Sequence, residues 1–144
     1  MRQEDLQRVL YFAYGHNTQT ETIQARCPSA KLMDTGVLHN FQLTFHQYSN
    51  IENQDGTHVE GVVWSISRSD LERLDGQEAL HEHYNRIPVE VMIKGVPYKC
   101  TAYIMDPGFH PDATPSRAYL QDVRKGYQEH GLPLSQIEEA LDRS

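Results

Sequence analysis

Residues 11–18 read Tyr-Phe-Ala-Tyr-Gly-His-Asn-Thr (YFAYGHNT). The first four residues extend an apolar run that begins at Val9, and together they have the length of a buried strand. Gly15, His16 and Asn17 are residue types that suit a tight turn, since glycine reaches φ > 0 freely and His and Asn tolerate it better than most. A strand that runs into such a turn can leave several backbone N–H groups aimed at one point. The amides of Gly15, His16 and Asn17 could then form a concavity for an anion or a polarised carbonyl oxygen. An ordinary strand-end turn carries the same residues.

The rest of the chain supplies what a strand needs for partners. Val37–Tyr48 is aromatic-rich and partly alternating, with Val37, Phe41, Leu43 and Phe45 on one face. Asn50–Thr57 reads as a turn with Asp55-Gly56 at its tip, and Val59–Ile66 as the returning strand. Pro88–Lys94 and Val96–Met105 read as a hairpin closed at Lys94-Gly95. Thr18–Arg26 reads as a short helix ended by Cys27-Pro28. Ser69 and Glu72 have capping-box spacing and predict a helix cut short by Gly76. Pro107–Pro115 reads as a loop. Ser116–His130 predicts the longest helix, with Tyr119, Leu120, Val123 and Tyr127 on one stripe and Gly131 as its stop. Ser135 and Glu138 predict a second capping box at the start of a last helix. Five mostly consecutive strands with three or four helices make an α+β protein with an antiparallel or mixed sheet.

With 144 residues the chain is the size of one domain and can bury a core without a metal or disulfide staple. The net charge of −7, with no basic run longer than two residues, argues against nucleic acid as a main partner. The polar N-terminus has no signal-peptide segment, and no stretch has the length and apolarity of a membrane span, so a cytoplasmic location is expected. Cys27 and Cys100 lie far apart outside any C-x-x-C pair and read as reduced thiols.

Three further features could carry chemistry. Glu78 lies among Ala79 and Leu80, where partial burial would raise its pKa and make it a proton shuttle; a solvated loop glutamate reads alike. His81 and His83 would share a face if they lie on a strand, but no third metal ligand stands at a recognisable spacing, so no metal site is expected. Tyr119 and Tyr127 fit a core edge, or a pocket wall if a hydroxyl turns inward. Ser116 reads as a helix cap.

Together these motifs resemble the γ-glutamylcyclotransferase family, which includes the AIG2-like domains. YFAYGHNT is similar to its Tyr-Gly-Ser-Asn signature. Arg26–Phe45 resembles its Arg-Cys-Pro segment and second strand. Val59–Leu80 resembles its Gly-Val-hydrophobic-Trp strand followed by Leu-Asp-x-x-Glu. Tyr84 and Arg86 match its Tyr-x-Arg, and Pro115–Pro133 its Pro-Ser-x-x-Tyr helix ending in Gly-Leu-Pro. The order is kept from about Val9 to Leu141. His16 stands where the signature has Ser, and Ala79 where the acidic motif has Gly.

The resemblance implies a small mixed, mostly antiparallel β-barrel-like fold with helices packed around it, over residues 1–144 as a single domain. It implies a cofactor-free cyclisation of a γ-glutamyl amino acid or γ-glutamylamine to 5-oxoproline with release of the amine. On this reading Glu78 is the general acid/base. Tyr11, Tyr14, Gly15, His16, Asn17, Tyr84 and Tyr119 bind the substrate. The partner is a small molecule, neither nucleic acid nor membrane is expected, and the protein is a monomer or homodimer. The alternative is a regulatory domain that keeps the glutamyl pocket without the chemistry.

Overall fold

A computed structural model describes residues 7–143 apart from 109, 110 and 112; of residues 78–82 it describes the backbone alone. Five strands, β1 (Arg8–Ala13), β2 (Lys31–His46), β3 (Tyr48–Ser67), β4 (Tyr84–Ile93) and β5 (Val96–Met105), close into a barrel in the order β1-β3-β2-β4-β5. Four of the five neighbouring pairs are antiparallel, and β1 runs parallel to β5. The expected mixed, mostly antiparallel, barrel-like α+β architecture is therefore what forms. The helices are α1 (Thr20–Arg26), α2 (Arg68–Glu82), α3 (Arg117–His130) and α4 (Ser135–Arg143).

The consecutive apolar residues of β1 and β3 are buried on both faces. Val62, Val63 and Trp64 are all inaccessible, because one face of the strand lines the barrel while the other lies under helices. Trp64, for example, packs edge-on against His130 of α3 at 5.5 Å. The hairpin at Lys94-Gly95 closes as expected. Both residues have positive φ, 50° and 79°, which matches the twist of the flanking strands.

Four expectations change. Asn50–Thr57 is not the reversal between β2 and β3. The chain reverses at Gln47 (φ 68°), and His46 and Tyr48 on either side of it are already paired. Asp55-Gly56 turns inside β3: Gln54–Thr57 stand opposite the single residue Asn40 as a four-residue bulge, in which Asn40 accepts from the Gly56 amide and Thr57 bonds Gln54 and Phe41. The buried Ile51 keeps this segment in the ladder.

The helix after β3 is not cut short at Gly76. It runs to Glu82, because Leu71 and Leu74 bury one side of it and this outweighs the roughly 1 kcal/mol that a mid-helix glycine costs. Its cap is Ser67 rather than Ser69. The Ser67 hydroxyl accepts from the Asp70 amide at 3.1 Å, and the Asp70 carboxylate reaches Ser29, whose hydroxyl accepts from the Ser67 amide. Finally, Ser135 is the first residue inside α4 rather than its cap, and the Glu138 carboxylate accepts from Arg124 at 2.8 Å.

The helix α3 ends as expected at Gly131 (φ 71°), with the Leu132 and Gly131 amides returning to Tyr127 and Gln128. Just before this stop, Glu129 reaches α1 and accepts from the Thr20 amide at 3.1 Å and from the Thr20 hydroxyl, so a carboxylate caps the start of that helix. Burial acts to raise the Glu129 pKa, but the two Thr20 bonds, with His130 and Lys125 nearby, outweigh it and lower the pKa below the usual 4.5. The stabilisation from this contact is thus fully present above 4.5 and fades as the pH falls through the lowered folded value. Chemical denaturation across an acid series should show the Glu129→Gln variant less stable than the wild type near neutrality, with the difference closing at acid pH; a pH-independent difference would refute the linkage.

Candidate active site

The chain leaves β1 at Ala13 and passes through Tyr14 and Gly15 into a single 3-10 turn, His16–Thr18, before α1. The turn's own bonds begin with the Thr18 amide to the Gly15 carbonyl (3.1 Å) and the Gln19 amide to the His16 carbonyl (3.3 Å). The Thr18 hydroxyl also donates to the Gly15 carbonyl at 2.7 Å. No residue of the turn has positive φ, so the left-handed conformation expected there is not used. Glycine is required at 15 for space instead: a Cβ would lie 2.0 Å from the Ser49 Oγ.

Four elements hold the turn from outside. From β3, the Trp64 indole donates to the Asn17 carbonyl at 2.9 Å. The Asn17 side chain donates to the Tyr11 hydroxyl (3.0 Å) and accepts from Arg26 of α1 (3.1 Å). From α3, the Tyr127 hydroxyl donates to the Tyr14 carbonyl (2.7 Å) while accepting from Gln136 (2.9 Å). Burial pushes the Tyr127 pKa far above the ordinary tyrosine value despite the Gln136 bond, so this phenol stays protonated and donating. Gly126 lets α3 come this close, since a Cβ there would meet the Thr18 hydroxyl at 2.1 Å.

Beside the turn lies a small cavity, continuous with solvent at its outer end. All seven residues that the sequence assigns to substrate binding, Tyr11, Tyr14, Gly15, His16, Asn17, Tyr84 and Tyr119, line it. The floor is buried and rich in tyrosine, whereas His16, Arg26 and Tyr119 are half-exposed and form the rim. The Tyr119 hydroxyl, from the first turn of α3, accepts from the Ser49 amide (2.9 Å) and shares a bond with the Ser49 hydroxyl (2.8 Å). The Tyr84 hydroxyl donates to the Ser49 carbonyl, and the Tyr14 hydroxyl to the Tyr103 carbonyl. Of the two tyrosines on the α3 stripe, Tyr119 therefore faces the cavity and Tyr127 is a buried brace.

Three lining residues, Arg26, Ser49 and Tyr103, escape a reading of the sequence. Arg26 carries a signal in its place before Cys27-Pro28; Ser49 and Tyr103 carry none, being brought in by the β2–β3 hairpin and by β5. Tyr103 links the cavity to α2. Its ring stands edge-on to Tyr11 at 5.7 Å, and its hydroxyl donates to Asp75 Oδ1 at 2.5 Å. Arg86, paired across the strands with Tyr103, lies 3.5 Å from the other Asp75 oxygen.

Glu78 was expected in a loop beyond a helix end; its backbone lies within α2, and its side chain is outside the described residues. Position 78 comes three residues after Asp75, four after Leu74 and seven after Leu71 in the helix. His81 and His83 do not share a strand: 81 is in α2, its side chain undescribed, and His83 follows the helix at φ 54°. Among the described residues no group of three His, Cys, Asp or Glu side chains converges. Cys27 and Cys100 are buried and form no disulfide. Burial pushes the Cys100 thiol up to about 11, which leaves it a neutral thiol and a poor nucleophile.

A model of the AIG2-like family matches residues 58–139. The γ-glutamylcyclotransferase of Bos taurus is 33% identical over 93% of this chain and 78% of its own length, and that of Homo sapiens is 35% identical over 90% and 76%. A solved structure titled γ-glutamyl cyclotransferase superposes with a TM-score of 0.83 at 34% identity, covering 93% of this chain and 86% of the other. The chain belongs to the γ-glutamylcyclotransferase family. No helix among the described residues is long and apolar enough to cross a membrane.

The close fit at Gly15 makes it the sharpest structural probe of the site. Gly15→Ala should displace Ser49 and with it the Tyr119 hydroxyl, lowering stability by roughly 1–3 kcal/mol, the usual cost of overpacking. Thermal unfolding and ligand binding should both report the loss; an unperturbed variant would mean that the turn is looser than described. Tyr127→Phe should cost about 1–2 kcal/mol, since it strips the Tyr14 carbonyl of a buried donor.

Proposed function

We propose that the protein converts a γ-glutamyl amino acid or γ-glutamylamine to 5-oxoproline and the free amine, with Glu78 as general acid/base. The observation that carries this reading is the meeting of the signature turn, Tyr14–Asn17, with Tyr119 around one cavity, in a chain of the γ-glutamylcyclotransferase family.

The reaction needs no covalent nucleophile. The substrate's α-amino nitrogen attacks its own γ-carbonyl carbon, a C–N bond forms, and the amide C–N bond to the leaving amine breaks. Two protons leave the attacking nitrogen, one to free its lone pair and one as the new C–N bond forms, and the departing nitrogen takes up two to leave as the ammonium, so no water is consumed. A single carboxylate can serve both nitrogens if it accepts a proton from the attacking one and delivers it to the departing one. The remaining task is to hold the glutamyl chain curled, and well-oriented intramolecular reactions gain effective molarities on the order of 10⁵ M or more. Negative charge developing on the carbonyl oxygen calls for N–H donors, the role given to the turn amides.

In this arrangement the glutamyl end occupies the tyrosine-rich floor and the leaving amine lies at the rim. Glu78 acts from α2, the helix that Tyr103 bonds through Asp75. Residues 1–144 serve as one domain, as a monomer or homodimer, and the two buried thiols fit a reducing, cytoplasmic setting.

Formation of 5-oxoproline from a panel of γ-glutamyl amino acids and γ-glutamylamines tests the activity. Glu78→Gln should abolish turnover, leaving at most about a thousandth of the wild-type rate, in keeping with the loss of a general acid/base. Its thermal unfolding should stay close to wild type. Undiminished turnover in that variant would remove Glu78 from the mechanism.

A further inference from the structure

Ser49, at the start of β3, brings to the cavity a hydroxyl that the cyclisation as derived above does not use. The residue is buried, 5% exposed, and lines the cavity. Its main chain is fixed on both sides: the carbonyl accepts from the Tyr84 hydroxyl, and the amide donates to the Tyr119 hydroxyl at 2.9 Å. Nearby, the Gln47 amide donates to the Ala113 carbonyl (2.8 Å) and the Asn50 side chain accepts from the Met105 amide (2.9 Å). The Ser49 hydroxyl stands beside the α-carbon of Gly15 and fills the space that a side chain at 15 would take. Gly15 is itself buried, and among the described residues its amide has no acceptor. Buried amides are paired in nearly all cases, so such an N–H on a cavity wall points to a ligand oxygen. The side-chain partner of Ser49 is the Tyr119 hydroxyl at 2.8 Å. Two hydroxyls that share one hydrogen bond keep a second proton to give. A phenol is more acidic than an aliphatic alcohol, so the shared bond is best made with Tyr119 donating, and the Ser49 proton is then directed elsewhere. The chain from the Ser49 amide through the phenol to the serine hydroxyl polarises each bond in turn.

We propose that Ser49 is a further catalytic residue: its hydroxyl, beside the Gly15 amide, donates to the γ-carbonyl oxygen of the glutamyl group. This rests on the reading of the cavity as the glutamyl site. The bond strengthens as the α-amino nitrogen adds to the carbonyl carbon and the oxygen takes negative charge. A hydroxyl whose backbone is already held by two tyrosines reorganises little at that moment, which is the condition for a donor to favour the transition state over the ground state. The turn alone would offer main-chain donors from one segment; Ser49 adds a side-chain donor from a second element.

Two carboxylates with a five-membered ring like that of 5-oxoproline, 3-oxocyclopentanecarboxylate and cyclopentanecarboxylate, carry the same charge and differ only in the carbonyl group. Calorimetry should find the wild type binding the ketone more tightly by roughly tenfold, the order expected of neutral hydrogen bonds to one oxygen. In Ser49→Ala that preference should shrink by about threefold or more, and in Tyr119→Phe, which keeps the serine hydroxyl, most of it should remain. With γ-glutamylalanine as substrate, Ser49→Ala should lower kcat/KM by roughly a hundredfold, more than it weakens the ketone, because the acceptor gains charge in the transition state. A wild type that does not distinguish the two rings, or a Ser49→Ala variant that keeps the full preference, overturns the proposal. So does a Tyr119→Phe variant that loses the preference entirely, since the phenol would then be the donor and Ser49 only its support. If no γ-glutamyl compound is turned over but the preference for the ketone is present and falls with Ser49→Ala, the cyclotransferase reading fails and the assignment of Ser49 to a carbonyl oxygen stands. If turnover is seen but the ketone preference does not depend on Ser49, the assignment fails and the cyclotransferase reading stands.

Discussion

The cavity depends on how the backbone at Asn17 is held. Its carbonyl accepts from Trp64 near the end of β3, its side-chain amide donates to Tyr11 on β1, and its side-chain oxygen accepts from Arg26 on α1. Asn17 is buried, and each unmade bond at such a site would cost about 1–3 kcal/mol. The three partners come from three different elements, so the turn can satisfy Asn17 in only one orientation relative to the barrel. A segment that would otherwise be a mobile strand connection becomes a fixed wall, and a wall that does not move is what an intramolecular reaction needs in order to keep its reactants aligned.

The tyrosines extend this logic across the rest of the cavity. Tyr14, Tyr84, Tyr119 and Tyr127 each spend a hydroxyl on main chain belonging to another element, three times as donor to a carbonyl and once as acceptor from an amide. Each gives a large apolar ring to the packing and one directional bond to the frame. The result is a polar-lined floor made of side chains that are themselves fixed. Close approach is the other requirement, and Gly15 and Gly126 provide it on the two sides of the turn.

The barrel is uneven in a way that suits this arrangement. The β2–β3 and β4–β5 ladders are long, whereas β1 meets β5 at Tyr11↔Thr101 and β2 meets β4 at Val37↔Met92. Tyr11 is thus a closure residue of the sheet and a lining residue of the cavity at once. Helices α2 and α3 brace the cavity from outside, through Tyr103 with Asp75 and through Tyr127 with Tyr14. Acidic, basic and aromatic side chains that look like independent surface features in the sequence are in fact the fastenings between these layers.

Local chemistry alone was enough to place most elements. The apolar run into Gly15, the Lys94-Gly95 hairpin, the α3 stripe and the Gly131 stop are all decided by residues near one another in the chain, and the motif order they make led to the family and to seven residues of the cavity wall. Where the local signals misled, long-range packing overrode them: Ile51 drew a polar, turn-like segment into β3, and Leu71 and Leu74 carried α2 through Gly76. Only the tertiary structure could bring Ser49 and Tyr103 to the cavity, separate the roles of Tyr119 and Tyr127, and set Asp122 beside His16. Those relations join residues many positions apart, and their energies come from burial and bond geometry that exist only once the barrel has closed.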